Sequence, residues 1–372
     1  MTTQLQVPQG PRIWPPTQAW PPAVHAGINQ LKAMAHQWRN ADDDSTGPIL
    51  VAVSGGADSL ALAVIAAETQ RTTGITFGAI VLDHQLQHVT AKVARRTAEI
   101  CGMLRLEPVL TERLSVTDHG DGLEAAAREA RYAAFVRCAH EVDAAGVVTA
   151  HTANDQAEQV LLGIARGSGA RSIAGIRKQR HHNSAGYQPI RIGRPILELT
   201  RQGTEAICTW AGLRYFQDPM NFDDDVARIR VRNHLLPTLT DPSSGLGPGV
   251  FSGLTTTAAL AAEDADLLDE LAEESYRALA DEETHQISFS LAQLRALKPA
   301  ILRRVVARAV RQFDAPQPTS ERLRAVQELI FPPVGVASSA GPIQLEGHVS
   351  LYRKKATNEY AKLLVICSPP SE

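Results

Sequence analysis

Between Ser54 and Ser59 the chain reads Ser-Gly-Gly-Ala-Asp-Ser, directly after the apolar run Ile49–Val53 and directly before a second apolar run. Residues of these types in this order could hold phosphate. The bare backbone N–H groups of Ser54, Gly55, Gly56 and Ala57, with the positive end of a following helix, would face the oxygens, and glycine lets them come close. Ser54 and Ser59 add hydroxyl donors, and Asp58 could hold a magnesium ion bridging the phosphates. The same letters also fit a tight strand-to-helix turn in which Ser or Asp caps the helix. The chain has no GxxxxGK[ST], so this is not the loop that supports attack at a γ-phosphate. It also lacks GxGxxG followed by an acidic residue, so a dinucleotide site is not expected.

Such a loop needs a frame. "ILVAV", then a helix over 60–69, then "FGAIVLD" at Phe77–Asp83 is a strand–helix–strand pattern. A further helix near Val89–Cys101, an extended "LRLEPVL", an Ala-rich helix over 122–142, "VVTA" at Val147–Ala150 and a helix over 155–165 continue the alternation. Strands that are apolar throughout, alternating with helices, predict an α/β doubly wound parallel sheet covered on both faces. The expected division is a Pro-rich arm and short helix over 1–46, the nucleotide-binding α/β domain over 47–218, a helical domain over 219–330 and a short C-terminal β segment over 331–372. The arm carries six prolines and two tryptophans before position 23 and reads as extended and weakly ordered.

Read as an ordered set, the motifs resemble a known family. "SGGADS" is similar to the SGGxDS loop of the PP-loop ATP-pyrophosphatase superfamily, whose fold is the adenine nucleotide α-hydrolase-like α/β sheet. "VLDHQLQ" (81–87), "LEAAAREARYAAF" (123–135), "TAHTANDQAEQVLLGIARGSG" (149–169) and "RPILELTRQGTEAICTWAGLRYFQDPMN" (194–221) leading into "ARIRVRNHLLPTL" (227–239) narrow the resemblance to bacterial tRNA(Ile)-lysidine synthases. It covers nearly two-thirds of the chain. It implies an enzyme that uses ATP and Mg2+ to adenylate the C2 oxygen of the wobble cytidine in a CAU-anticodon tRNA(Ile). L-lysine then displaces AMP, forming lysidine, a ligase reaction with AMP and diphosphate as products.

That chemistry suggests roles. Ser54, Gly55, Gly56, Ala57, Asp58 and Ser59, with Asp83 and His84 at the end of the second strand, would bind ATP. Arg128 or Arg131 would neutralise charge at the phosphates. Asp155 and Glu158, three apart on one helical face, would receive the lysine ammonium or, for Asp155 together with Asp58, the metal. His151 nearby could relay a proton. Each has a plainer competitor. "DQAE" is also a capping box with Asp155 as N-cap, Glu124 and Arg128 suit an exposed i,i+4 pair, "RGSG" suits a helix end, and His84 a polar strand end. "DHQLQ" departs from the family's DHGLR, so Gln85 and Gln87 replace a glycine and an arginine. "DPMN" stands for DPSN, and Ile229 stands where asparagine is common.

The net charge of −3 says little about partners, but basic residues cluster. Arg177, Lys178, Arg180, Arg191 and Arg194 share a stretch with two histidines and a tyrosine and no acid. Arg228, Arg230 and Arg232 form a second cluster, and Arg353, Lys354 and Lys355 a third. Arg177, Lys178, Arg191, Arg194, Arg228, Arg230 and Arg232 are the expected tRNA contacts, and the target base would be unstacked to reach the nucleotide. The four cysteines are scattered, with no CxxC. That argues against a zinc ribbon or a disulfide framework and for a reducing, cytoplasmic setting. No 18-residue apolar run predicts a membrane span, and the N-terminus does not read as a signal peptide. The sequence leaves a homodimer open. The competing readings are a PP-loop tRNA thiolation enzyme, a small-molecule amide synthetase of the same fold, and a degenerate nucleotide- and RNA-binding protein that has lost catalysis.

Overall fold

Ile49, Val51 and Val53 turn to one side of the first strand and Leu50 to the other, and both sides are buried. That two-residue alternation between two apolar layers is the frame of a doubly wound sheet. The computed structural model describes all residues except 1–6, 12–13, 17, 41–46, 84–87, 115–122, 168, 185, 219–223, 314, 333–340, 356–361 and 368–372. The elements run α1 (Pro22–Asn40), β1 (Ile49–Ala52), α2 (Ala57–Thr73), β2 (Phe77–Asp83), α3 (His88–Met103), β3 (Val109–Arg113), α4 (Leu123–Glu141), β4 (Gly146–Val148) and α5 (Ala153–Ala165). They continue through α6 (Ala170–Ile173), β5 (Gln179–Ser184), β6 (Tyr187–Gly193), α7 (Arg201–Trp210), α8 (Ala227–Arg230), a π-helical turn (Val231–Leu235), α9 (Leu236–Thr240) and α10 (Gly249–Leu279). Then follow β7 (Asp281–Glu283), β8 (Gln286–Ser290), α11 (Leu291–Ala296), α12 (Pro299–Arg311), α13 (Ser320–Ile330), β9 (Ile343–Gln344), β10 (Ser350–Lys355) and β11 (Lys362–Cys367).

The chain divides into two compact units, 1–167 with 172–258, and 168–171 with 259–372. In the first, the sheet order is β3-β2-β1-β4-β6-β5, parallel except for the β5–β6 edge hairpin. One face is covered by α1, α2, α3 and α7, the other by α4 with Tyr132, Phe135 and Val136 against Leu50, Ile80 and Ile192. Helix α2 is apolar all round because it lies between the sheet and the outer helices α1 and α7. Leu60, Leu62 and Ile65 are each fully buried, worth roughly 2 kcal/mol apiece. Strand β1 has β2 on one side and β4 on the other, so the connections reverse there. The carboxyl ends of β1 and β4 therefore bound the crevice where open α/β sheets bind ligands.

The second unit carries an antiparallel sheet, β7-β8-β11-β10-β9. Ile287, Phe289, Leu351, Leu364 and Ile366 pack in one core with Tyr276, Leu302, Val305, Val306, Val310 and Leu329 from the helices.

The structure draws the division differently in three places. The described part of the arm is not apart from the α/β unit: Trp14 and Trp20 pack on its core, Gln9 bridges to Arg214, and α1 buries Val24, Leu31 and Trp38 there. The α/β unit runs on to 258 rather than ending at 218. The terminal strands are not a separate piece over 331–372, because β11 pairs with β8 from inside the stretch read as helical. Among the described residues, no helix is long and apolar enough to cross a membrane.

Candidate functional site

The loop after β1 is shaped by its own hydroxyls. The Ser54 N–H donates to Ser59 Oγ at 3.1 Å, and Ser59 Oγ–H donates to the Gly56 carbonyl at 3.0 Å. Gly55 has φ +86°, and a Cβ there would lie 2.6 Å from Thr97 Oγ1, so any other residue is strained and crowded. Gly56 is the N-cap of α2 and brings no side-chain cap. The first N–H groups of a 17-residue helix are thus left for a ligand. The turn is braced from behind: the Phe216 N–H donates to the Gly55 carbonyl at 2.8 Å, and Gln9 and Arg214 exchange backbone hydrogen bonds of 2.9 and 3.1 Å two residues earlier.

Asp58 sits in the first turn of α2. Thr204 on α7 donates to its Oδ1 at 2.5 Å. Burial pushes the Asp58 carboxyl above its ordinary value; the Thr204 bond and the Arg201 charge act against this without reversing it. A half-buried carboxylate with no ion pair of its own among the described residues suits a cation shared with ligand phosphates. No cluster of three or more His, Cys, Asp or Glu able to hold a metal occurs among the described residues, and Mg2+ commonly takes only one or two carboxylates beside phosphates. Asp83, at the end of β2, is buried and accepts from Thr90 Oγ1 at 2.9 Å. His84, Gln85 and Gln87 lie outside the described residues.

Across the crevice, β4 ends at Thr149–His151 and α5 begins. Thr152 is its N-cap and Asp155 its N3 residue, the Thr152 N–H and Oγ–H both donating to Asp155 Oδ2 at 2.8 and 2.9 Å. The capping box is real but shifted from the expected one: Asp155 closes it and Glu158 takes no part. Glu158 is fully buried. Its carboxylate accepts from Arg228 Nε at 2.7 Å and from Arg232 Nε and Nη2 at 2.6 and 3.0 Å. Arg228 Nη2 also donates to Asp155 Oδ1 at 2.8 Å. Two carboxylates and two guanidiniums thus form a neutral cluster that ties α5 to α8 and the π-helical turn. The charges of Asp155 and Arg232 both reach Asp58, linking the two walls of the crevice.

Burial opposes the charge on Asp155, but Arg228, His151 and the Thr152 bonds outweigh it and hold the carboxyl below its ordinary value. His151, bonded through Nδ1 to Thr149 Oγ1 at 2.9 Å, is pushed down to about 3, by burial first and then by Arg194, Arg228 and Arg128 against Asp155. It is a neutral imidazole at physiological pH, and so a hydrogen-bonding group rather than a ready proton carrier.

The basic residues separate into different roles. Arg228 and Arg232 were expected on an RNA face but point inward to carboxylates. Arg230 donates to the carbonyls of Asp224 and Asp225 at 2.6 and 2.9 Å. Arg194 is only 2% exposed and donates to the Arg177 carbonyl at 2.7 Å. Arg191 donates to the Trp38 carbonyl at 2.8 Å, and Lys178 is exposed beside Glu198. Arg128 and Arg131 are exposed on α4, Arg128 lying 5.1 Å over the Tyr132 ring. Thr204, Arg201 and Thr149 are not marked out by sequence, yet each orients or charges an expected site residue. Their signal lay in their being polar residues at helix starts and strand ends, which is too common to single them out.

A PP-loop domain model matches residues 28–239. A TilS substrate binding domain model matches residues 289–355. The chain is 44% identical over 226 residues to the tRNA(Ile)-lysidine synthase of Salinispora arenicola, covering 61% of this chain and 66% of that one. It is 40% identical over 269 residues to that of Salinispora tropica, covering 72% and 78%. With that of Mycobacterium tuberculosis it is 39% identical over 306 residues, covering 82% and 88%. The chain thus spans between about two-thirds and nine-tenths of the length of these relatives. By domain content and by identity over most of its length, the chain belongs to the tRNA(Ile)-lysidine synthase family.

Proposed function

We infer that this chain joins L-lysine to C2 of the wobble cytidine of CAU-anticodon tRNA(Ile), consuming ATP and releasing diphosphate and AMP. The observation that carries the reading is the crevice between β1 and β4 in a chain of this family. One wall is an uncapped helix start with Gly55, Gly56 and Asp58, and the other is the Asp155–Glu158–Arg228–Arg232 cluster.

Adenylation replaces one difficult substitution by two easier ones. The C2 oxygen attacks the α-phosphorus and diphosphate leaves; the lysine amine then attacks C2, loses a proton and expels AMP carrying that oxygen. The N–H groups at the start of α2 and the hydroxyls of Ser54 and Ser59 would hold the phosphates being expelled. Asp58, with Thr204 fixing one oxygen, would hold a magnesium ion, which supplies further charge neutralisation there. Arg128 and Arg131 would meet the α-phosphate side, and Asp83 would help seat the nucleotide. Asp155 and Glu158 would not receive the lysine ammonium directly, because Arg228 and Arg232 already neutralise them; their part would be to hold those two guanidiniums in position. His151, neutral, would accept a hydrogen bond from the incoming amine.

The thiolation reading loses support. The Cys101, Cys138 and Cys208 thiols are buried and pushed up to about 12 by burial, which leaves them poor thiolates. The test supplies ATP, Mg2+, labelled lysine and CAU-anticodon tRNA(Ile) and counts label in the RNA. ATP-dependent incorporation is the expected result. Incorporation of sulfide instead, or none of lysine, would overturn the reading.

A further inference from the structure

One group of cations extends beyond the site described above, with Arg128 at its border. Tyr132 on α4 is buried, and its ring is flanked by Arg180 of β5 at 4.6 Å and Arg128 at 5.1 Å. His182 of β5 lies against the same ring at 4.8 Å between centroids, tilted by 35°. Arg194, immediately after β6, brings Nη2 to 3.4 Å from the Tyr132 hydroxyl. Among the described residues, Arg128, Arg180 and Arg194 take part in no ion pair within 4.0 Å. The Nε atoms of Arg180 and Arg194 are buried without any hydrogen-bond partner. Elsewhere in the same unit the half-buried arginines Arg228 and Arg232 are matched by carboxylates.

Three guanidiniums gathered around one aromatic side chain, with none of them ion-paired among the described residues and the charge of Glu129 reaching His182, repel one another, and two of them carry unsatisfied buried donors. An arrangement of that kind is stable enough to persist but is completed by an anion. The register of the edge hairpin produces it. Arg180 pairs with Ile192 and His182 with Ile190, so both project from β5 to the α4 side, where Ile190 and Ile192 also pack. Because β6 runs parallel to β4, Arg194 emerges at the same carboxyl edge as His151. Its charge and that of Arg128 are felt at His151.

We propose that Arg180, with His182 and Arg194 around Tyr132, is a phosphate subsite for the RNA backbone, gripping a phosphodiester that flanks the nucleotide presented to the crevice. This rests on the reading that the substrate is a tRNA. The shared chemistry, a phosphate, could also belong to ATP, and the experiment separates the two sources.

Arg180→Gln and Arg180→Lys are compared with the wild type in two measurements: tRNA affinity across salt concentrations, and the KM for ATP in diphosphate release. Arg180 is only half-buried, and a melting curve shows that each variant is folded. Losing one phosphate contact flattens the slope of log K against log salt by about one, and about a tenfold loss of tRNA affinity at low salt is expected for Arg180→Gln. The slope should be kept in Arg180→Lys and the KM for ATP should not move. A tRNA with a neutral methylphosphonate at the flanking position should weaken the wild type and leave Arg180→Gln unchanged. A raised KM for ATP with unchanged tRNA affinity would assign the phosphate to the nucleotide and overturn the proposal. So would an unchanged salt slope. Failure of lysine incorporation in the wild type would instead count against the enzyme reading, and is read independently of these affinities.

Discussion

Glu158→Gln tests whether the ion cluster on α5 is built as described. Glu158 is fully buried and accepts three hydrogen bonds from Arg228 and Arg232, at 2.6 to 3.0 Å. The arginine side chains are themselves only 29% and 24% exposed, so water replaces the lost carboxylate poorly. Breaking a buried pair from one side costs about 3–5 kcal/mol. Asp155 remains to hold Arg228 at 2.8 Å, and the amide keeps the volume and one acceptor, so the lower end, about 3 kcal/mol, applies. At about 2–4 °C per kcal/mol for a unit of this size, the melting temperature should fall by about 6–12 °C. Replacing Glu158 and Arg232 together by methionine should recover part of that loss, because Arg228 keeps Asp155 as its partner and no buried charge is left unpaired. The assay is thermal unfolding followed by circular dichroism, with lysine incorporation measured on the same preparations. A Glu158→Gln melt within about 2 °C of wild type would refute the claim that this carboxylate neutralises two guanidiniums. Recovered stability without recovered incorporation is expected of the double variant, since Arg232 would no longer line the crevice.

Asp58→Asn should abolish diphosphate release while leaving tRNA affinity nearly unchanged, and surviving turnover would show that Asp58 has been misassigned. The same change should flatten part of the pH dependence of stability. The folded carboxyl is raised above 3.8, so over the pH range just above that value the folded state holds the extra proton and stability falls as pH rises. Urea melts of Asp58→Asn that still fall there would locate the effect elsewhere. Gly55→Ala should cost about 1–3 kcal/mol, because alanine is strained at φ +86° and its Cβ meets Thr97, and should raise the KM for ATP. An unchanged melt and KM would mean that the loop tolerates a side chain. His151 titrates at about 3 in the folded chain against an ordinary 6.5, so the unfolded state binds its proton first and stability is lost as pH falls from 6.5 towards 3. Urea titrations of His151→Asn should show a shallower acid loss than wild type, and an identical loss would clear His151 of that role.

The order of strands and helices through α5 was legible because a buried parallel sheet needs continuously apolar strands and each crossover needs a helix. The phosphate loop was legible because only a few residue types allow a strand to empty into an uncapped helix start. Both signals are local, written within a dozen residues. The edge hairpin β5–β6 was not visible, since its first strand alternates Arg, His and Asn and resembles a basic surface loop. Strand β8 was hidden in the same way, because its partner β11 lies some seventy residues further along the chain.

The fate of the charged side chains was decided only by the tertiary structure. Arg228, Arg230 and Arg232 look alike in sequence, yet two of them reach buried carboxylates and the third meets backbone carbonyls. Arg180 looks no different from Arg177 or Lys178, yet it alone of the three lies over the Tyr132 ring. A sequence states which charges the chain carries. Which of them are neutralised within the fold depends on distance and burial, because Coulomb energy and desolvation are set by neighbours in space. The phosphate loop could therefore be read in advance, whereas the charges left available for RNA could be recognised only after the sheet had brought α4, β5 and β6 together.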